Sequence, residues 1–230
     1  MFMPLKDNTP LNIIRFQYVT LFIIILNVAI FILTGPLAGE QALAVVEAGY
    51  GVVPTELLDI TRIPNPAFNP VAEPLTLITY MFFHGGWLHL VGNMAFLWVF
   101  ADNIEDAFGP MLFGLFYLAC GVIAALAHVM FNAESHAPLV GASGAVSGVM
   151  AAYLLLYPKA RVWILLFMQI PMPVPAWVAL GGWIALQAAS LFMQQMPGDA
   201  VAFGAHIGGF AAGLALTALL RMQTFVRDRV

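Results

Sequence analysis

The chain has 230 residues, 62% of them hydrophobic and 9% charged, with a formal net charge of −4. Soluble domains carry about 25% charged residues and about 45–50% apolar ones, so so little polar surface excludes a water-soluble globular protein and points to one embedded in a membrane. The lone Cys120 excludes an intramolecular disulfide and a cysteine-based metal site, and the scattered Lys and Arg make no basic patch for nucleic acid.

Crossing about 30 Å of hydrocarbon takes about 20 apolar residues. Six stretches approach or reach that length, at 16–35, 83–101, 110–131, 141–157, 175–194 and 200–220. The first has an apolar core longer than the roughly 7–15 residues of a signal peptide, so it is expected to stay as an anchor. Between the first two spans lies a long segment, 36–80, carrying Pro54, Pro64, Pro66, Pro70 and Pro74. A stretch this long is expected to be a folded or interfacial insertion rather than slack chain. The segment 158–174 has an apolar middle too short to span and is expected to dip into the interface.

With the N-terminus in the cytoplasm, Lys6, Arg15, Lys159, Arg161, Arg221, Arg227 and Arg229 fall inside and Arg62 alone falls outside. That asymmetry fixes the expected orientation. The expected layout is all-α and polytopic: residues 1–15 a cytoplasmic N-terminal segment, 16–220 a six-helix membrane domain with a large outer loop between spans 1 and 2, and 221–230 a cytoplasmic tail.

Polar groups at membrane depth are expensive and mark function. Here they are His84, His89, Asn93, Asp102, Glu105, His128, Ser143, Ser147 and His206. Spans 2, 4 and 6 all start on the outer side. His89, Asn93, Ser143 and His206 therefore lie in the first three turns of helices entering from one face, and at about 1.5 Å per residue they share a layer. His89 and Asn93 are four residues apart and project from one helix face. Gly209 and Gly213 on span 6, and Gly144 and Gly148 on span 4, leave room for two backbones to approach. Packed so, Ser143 and His206 come within hydrogen-bond reach. Serine needs an adjacent base to become a nucleophile, and imidazole suits the task. Asn93, and with it His89, could donate to the oxyanion on an attacked carbonyl.

Plainer explanations compete at each position. The Gly-Ala-Ser run could be packing alone, and Ala145 departs from the G-x-S-x-G elbow of α/β-hydrolases. His206 could be an interhelical polar residue. His84 and His89 lack the third ligand and spacing of a metal site, so no metal or other cofactor is expected. His136 is a rival base, and Glu134 and Asp199 are candidates for a third, His-orienting acid, although a dyad fits the spacing better. Asp102, Glu105 and Asp106 lie at the inner end of span 2, where bonding to span 3 or nearby groups is expected. Cys120 and the methionines read as packing or lipid-facing residues.

Four motifs in order resemble the rhomboid family of intramembrane serine proteases. They are His89-Leu-Val-Gly-Asn93, Glu105-Asp-Ala-Phe-Gly109, Gly141-Ala-Ser-Gly144, and Ala205-His-Ile-Gly-Gly209 with Gly213. Together with the span pattern the resemblance covers about residues 15–220. It implies Ser143 as nucleophile, His206 as general base and then acid, and oxyanion stabilisation by Asn93, His89 and the Ser143 N–H. Gly141, Gly144, Gly209 and Gly213 would be structural residues near the site, while Glu105 and Gly109 would tie the inner end of span 2 to its neighbours.

The implied substrates are single-span membrane proteins, cut near the outer end of their helix in a bacterial-type inner membrane. Water would reach the serine from the outer side beneath a mobile loop, and span 5 would bound the site laterally. Two positions depart from the family pattern. Leu75 and Thr76 stand where many members carry Trp-Arg, and Ser147 stands where some have an aromatic stacked on the catalytic His. A hydrogen bond from Ser147 could orient His206 instead. Competing functions are a non-cleaving relative that binds membrane segments, a small transporter and a membrane acyltransferase. The confined polar layer and the absence of an inverted repeat count against transport.

Overall fold

In the computed structural model, residues 2–35, 40–59, 70–193 and 202–227 are described. Arg62 and Asp199, both singled out above, lie outside them, as do residues 228–230 of the tail. The chain opens with strand β1 (Phe2–Asp7) and then helix α1 (Tyr18–Thr34). After it come α2 (Glu40–Tyr50), α3 (Pro54–Leu58) and α4 (Glu73–Thr79), the last running into one 3-10 turn, Tyr80–Phe82. Next come α5 (Trp87–Phe108), α6 (Pro110–Phe131) and α7 (Ser143–Leu156), then strands β2 (Arg161–Leu166) and β3 (Ile170–Pro175), and finally α8 (Ala176–Met193) and α9 (Phe203–Arg227).

Each of the six apolar stretches contributes one helix, and the protein is mostly helical. Three of these helices are long and apolar enough to cross a membrane: Pro110–Phe131, Ala176–Met193 and Phe203–Arg221. The others differ for physical reasons. Helix α5 runs on past its apolar part and carries Asp102, Glu105 and Asp106 near its C-terminal end. Helix α1 has 17 residues and α7 only 14, so α7 is about 21 Å long at about 1.5 Å per residue. It begins late because residues 137–142 are not helical. Ten consecutive residues, Gly144 to Tyr153, are buried, so α7 is the central helix and is enclosed on every side.

The small residues on α7 and α9 account for how those two helices meet. A Cβ at Gly209 would run into the Gly144 carbonyl oxygen, and one at Gly213 into the Gly148 carbonyl oxygen. On the other side of α7, a Cβ at Gly148 would lie 2.5 Å from Cys120 Sγ, so the buried thiol of α6 fills the notch that the glycine leaves.

An all-α fold is the expectation that the structure corrects. Strands β1, β2 and β3 form a three-stranded antiparallel sheet in that order. The segment 158–174 therefore satisfies its backbone as a hairpin paired with the N-terminal residues. Pro171, Pro173 and Pro175 occur at every second residue of β3. Alternate residues of a strand point their amide nitrogens the same way, so all three missing N–H groups face the open edge and the ladder to β2 is intact. The chain reverses between β2 and β3 through Phe167 and Met168, with φ of 51° and 60°.

The carboxylates near the C-terminal end of α5 bond to the N-terminal segment and α1, while Phe108 there meets Phe116 of α6 edge-on at 5.2 Å. Glu105 accepts from Val19 N at 3.0 Å and from Thr20 N and Thr20 Oγ1 at 2.8 Å, which caps the free N–H groups of the first turn of α1. Asp106 accepts from Asn12 N at 2.9 Å and from Ile13 N and Ile14 N at 2.7 Å. Burial pushes the Asp106 carboxyl up, but these three backbone bonds outweigh it and hold the group below the usual carboxylate range. Asp102 bonds locally, accepting from Asn103 N at 2.7 Å.

Candidate active site

Ser143 is the first residue of α7, and the turn before it is fixed from three directions. Gly141 N donates to Tyr80 O at 2.9 Å, and Tyr80 Oη donates to Gly121 O of α6 at 2.8 Å. Gly141 has φ of +117°, and a Cβ there would sit 2.5 Å from His89 Nε2 and 3.8 Å from Asn93 Nδ2. Only glycine meets both demands at this position. His89 and Asn93, one helical turn apart on α5, are thus packed against the residue two before Ser143. Asn93 Nδ2 donates to His89 O at 3.0 Å, which leaves its second N–H available.

Ser143 Oγ lies 2.9 Å from His206 Nε2. The separation follows from the α7–α9 contact, because Gly209 is one turn beyond His206 and touches Gly144, the residue after the serine. The other ring nitrogen, His206 Nδ1, is 2.6 Å from Gln187 Oε1 on α8. Trp183, four residues earlier on that helix, sets its ring 5.5 Å from the imidazole at an interplanar angle of 41°.

Several sequence expectations meet different partners. The Ser147 hydroxyl donates to the Ser143 carbonyl one turn back in its own helix at 2.6 Å, so it does not orient His206. His136, the rival base, has Nδ1 3.0 Å from Thr55 Oγ1 in the outer segment. Leu75 and Thr76 lie within α4, and Thr76 Oγ1 donates to Glu73 O at 2.5 Å. The chain between α1 and α5 is held by other bonds: Val52 and Leu139 exchange backbone hydrogen bonds at 3.0 and 2.8 Å, and Thr79 Oγ1 donates to Tyr50 O at 2.7 Å.

Gln187 was not anticipated, and His84, named above among the polar groups at membrane depth, has a role at the serine that the sequence did not assign to it. His84 is buried, and its Nε2 accepts from Ala142 N at 3.5 Å while its ring meets that of His89 edge-on at 5.0 Å. It holds the turn ahead of the serine, and its place five residues before His89 was the available clue. Gln187 had no clue at all, as a single amide in an apolar helix. On α2, burial also pushes the Glu47 carboxyl above its usual range.

A mostly helical bundle with long apolar helices, in which a serine and a histidine touch beside a further histidine and an asparagine, defines a helical membrane protein. Residues 71–223 match the Rhomboid domain, and the chain belongs to the rhomboid family. It is similar to Rhomboid protein 1, mitochondrial, of Saccharomyces cerevisiae, 28% identical over 63% of this chain and 41% of that protein. Presenilin-associated rhomboid-like protein A, mitochondrial, of Danio rerio is 32% identical over 65% of this chain and 38% of its own length. RHOMBOID-like protein 6, mitochondrial, of Arabidopsis thaliana is 33% identical over 66% and 45% respectively. The chain spans less than half the length of these relatives.

Proposed function

We propose that the protein is an intramembrane serine endopeptidase that cuts single-span membrane proteins near the outer end of their transmembrane helix. The observation that carries this reading is the 2.9 Å approach of Ser143 Oγ to His206 Nε2. In the proposed reaction His206 takes the serine proton as Oγ attacks the scissile carbonyl. The negative oxygen that forms is met by the Ser143 N–H, the free amide hydrogen of Asn93 and a ring N–H of His89. The positive end of α7 adds to this stabilisation. His206 then gives its proton to the leaving amine, and a water activated by the same imidazole releases the acyl group.

The reading includes six spans with both termini on the inner face and the serine opening to the outer side. The mitochondrial names of the relatives make a mitochondrial membrane the alternative to a bacterial inner membrane. The partners are the lipid bilayer and the transmembrane segment of the substrate, with no nucleic acid. A substrate helix has its backbone bonds satisfied and must unwind before attack. Segments with Gly, Ser or Pro near the outer face unwind most cheaply, so these are the preferred substrates, with a small residue just before the cut.

The test uses purified wild type, Ser143→Ala and His206→Ala with a fluorophosphonate probe and a single-span substrate. Labelling and cleavage by wild type alone are expected. Cleavage that survives in Ser143→Ala overturns the mechanism. A wild type that retains the substrate but neither labels nor cuts is instead a non-cleaving binder of membrane segments.

A further inference from the structure

We infer that Gln187 is a positioning residue for His206, a third member of the site carried by α8. A neutral imidazole has one nitrogen that donates and one that accepts. To take the Ser143 proton, His206 must present a lone pair at Nε2, so its hydrogen must sit on Nδ1. Which nitrogen bears the hydrogen is set by the partner of the other one. Gln187 Oε1, 2.6 Å from Nδ1, is an acceptor and holds the hydrogen there. The Ser147 hydroxyl is engaged with the Ser143 carbonyl, so the orienting bond comes from α8.

The helix that supplies it is unevenly held. Its start is tied to the segment before β2, with Ala176 N donating to Ala160 O at 2.8 Å and Trp177 N to Pro158 O at 3.1 Å. Its buried residues, Ala176, Ala179 and Leu180, all belong to its first turns. Trp183 and Gln187 come after them, on one face. The imidazole is therefore in its working tautomer when the far part of α8 lies against α9, and it loses its orienting partner when that part moves away.

This inference rests on the Ser143–His206 reading. The test compares Gln187→Leu, Gln187→Glu and Ser143→Ala with wild type in the full chain, measuring kcat and KM on a single-span substrate, the fluorophosphonate labelling rate and the thermal melt. Gln187→Leu is expected to lower kcat about tenfold or more with KM and the melt unchanged, and to slow labelling in proportion, as for loss of a group that orients a catalytic ligand. Gln187→Glu still accepts from Nδ1 and is expected to stay within about threefold of wild type. If Gln187→Leu melts early, Gln187→Met, of nearly the same length, carries the kcat comparison.

Gln187→Leu within about twofold of wild type overturns the inference, as does Gln187→Glu falling as low as Gln187→Leu, because acceptance at Nδ1 would then not matter. An inactive Ser143→Ala beside a fully active Gln187→Leu removes this inference alone. A Ser143→Ala that still cuts removes the Ser–His reading with it.

Discussion

Helix α9 meets α7 backbone to backbone, whereas it meets α8 near the imidazole through two side chains. On the α7 side, Gly209 and Gly213 lie so close to Gly144 and Gly148 that a methyl group at any of these contacts would strike backbone or a buried side chain. On the α8 side, Gly181 and Gly182 have nothing within 4 Å of a Cβ position. The close backbone contact makes the α7 side the rigid wall of the His206 site. In the inference above the α8 side is the adjustable wall and sets the ring's tautomer, while the rigid wall sets the serine distance.

The largest expected effect comes from breaking the rigid wall. In Gly213→Val the new side chain meets the Gly148 carbonyl oxygen, with Gly148 Cα 2.6 Å from the Cβ position. Neither helix can yield without separating, so destabilisation of about 3 kcal/mol is expected, the upper end for overpacking. Fluorophosphonate labelling of Ser143 should vanish with it, since the 2.9 Å contact widens. A thermal melt and labelling both equal to wild type would mean that the seam is not what sets the serine distance.

Next in size is the fixed point at the inner end of α5. Asp106→Asn trades a charged acceptor of three backbone N–H groups for a neutral one, and about 2 kcal/mol should be lost at neutral pH. The wild-type dependence on pH has a definite sign. The folded-state value lies below the ordinary 3.8, so the stabilisation is complete above 3.8 and is lost as pH falls through the depressed value. Acid melts should show this loss in wild type and a flatter profile in Asp106→Asn. Equal profiles would show that the clamp contributes no linked stability.

A third variant strengthens the adjustable wall. Two adjacent glycines in mid-helix weaken α8, each by up to about 1 kcal/mol relative to alanine, with no close contact that demands them. Gly181→Ala with Gly182→Ala should raise the melting temperature and leave labelling of Ser143 by a small probe unchanged. Cleavage of a transmembrane substrate should slow, because a stiffer α8 bends away less readily. Unchanged cleavage at a raised melt would show that bending of α8 at these glycines plays no part.

The rigid wall was legible in the sequence and the adjustable one was not. Gly144, Gly148, Gly209 and Gly213 repeat at four-residue spacing, and close helix packing has few other signatures. His89 and Asn93 share a face by the same spacing, and the depth argument put Ser143 and His206 in one layer. Gln187 repeats with nothing, and its role depends on the rotation of α8, which spacing cannot report. Strand β1 pairs with residues more than 150 positions away, so no local pattern announced the sheet. Glu105 and Asp106 were recognisable as structural, but their partners at 12–14 and 19–20 precede them by more than 80 residues.

The smallest expected effect tests whether the inner sheet is a foundation for α8 or merely adjacent to it. Met168 turns the β2–β3 hairpin with φ of 60°, and its side chain is 52% exposed. A left-handed residue with a Cβ is strained by about 1 kcal/mol relative to glycine, and almost no packing is lost on removing this side chain. Met168→Gly should therefore stabilise the hairpin by about 0.5–1 kcal/mol. Strand β3 runs without a break into α8, whose first two N–H groups bond to the chain just before β2. If the sheet is the base on which α8 stands, a firmer hairpin raises the melting temperature and leaves kcat as it was, because the strain relieved lies at the end of α8 remote from Gln187. A change in kcat at constant melt would instead mean that the hairpin communicates with His206 along α8, and that the adjustable wall begins at the turn and not at Gly181.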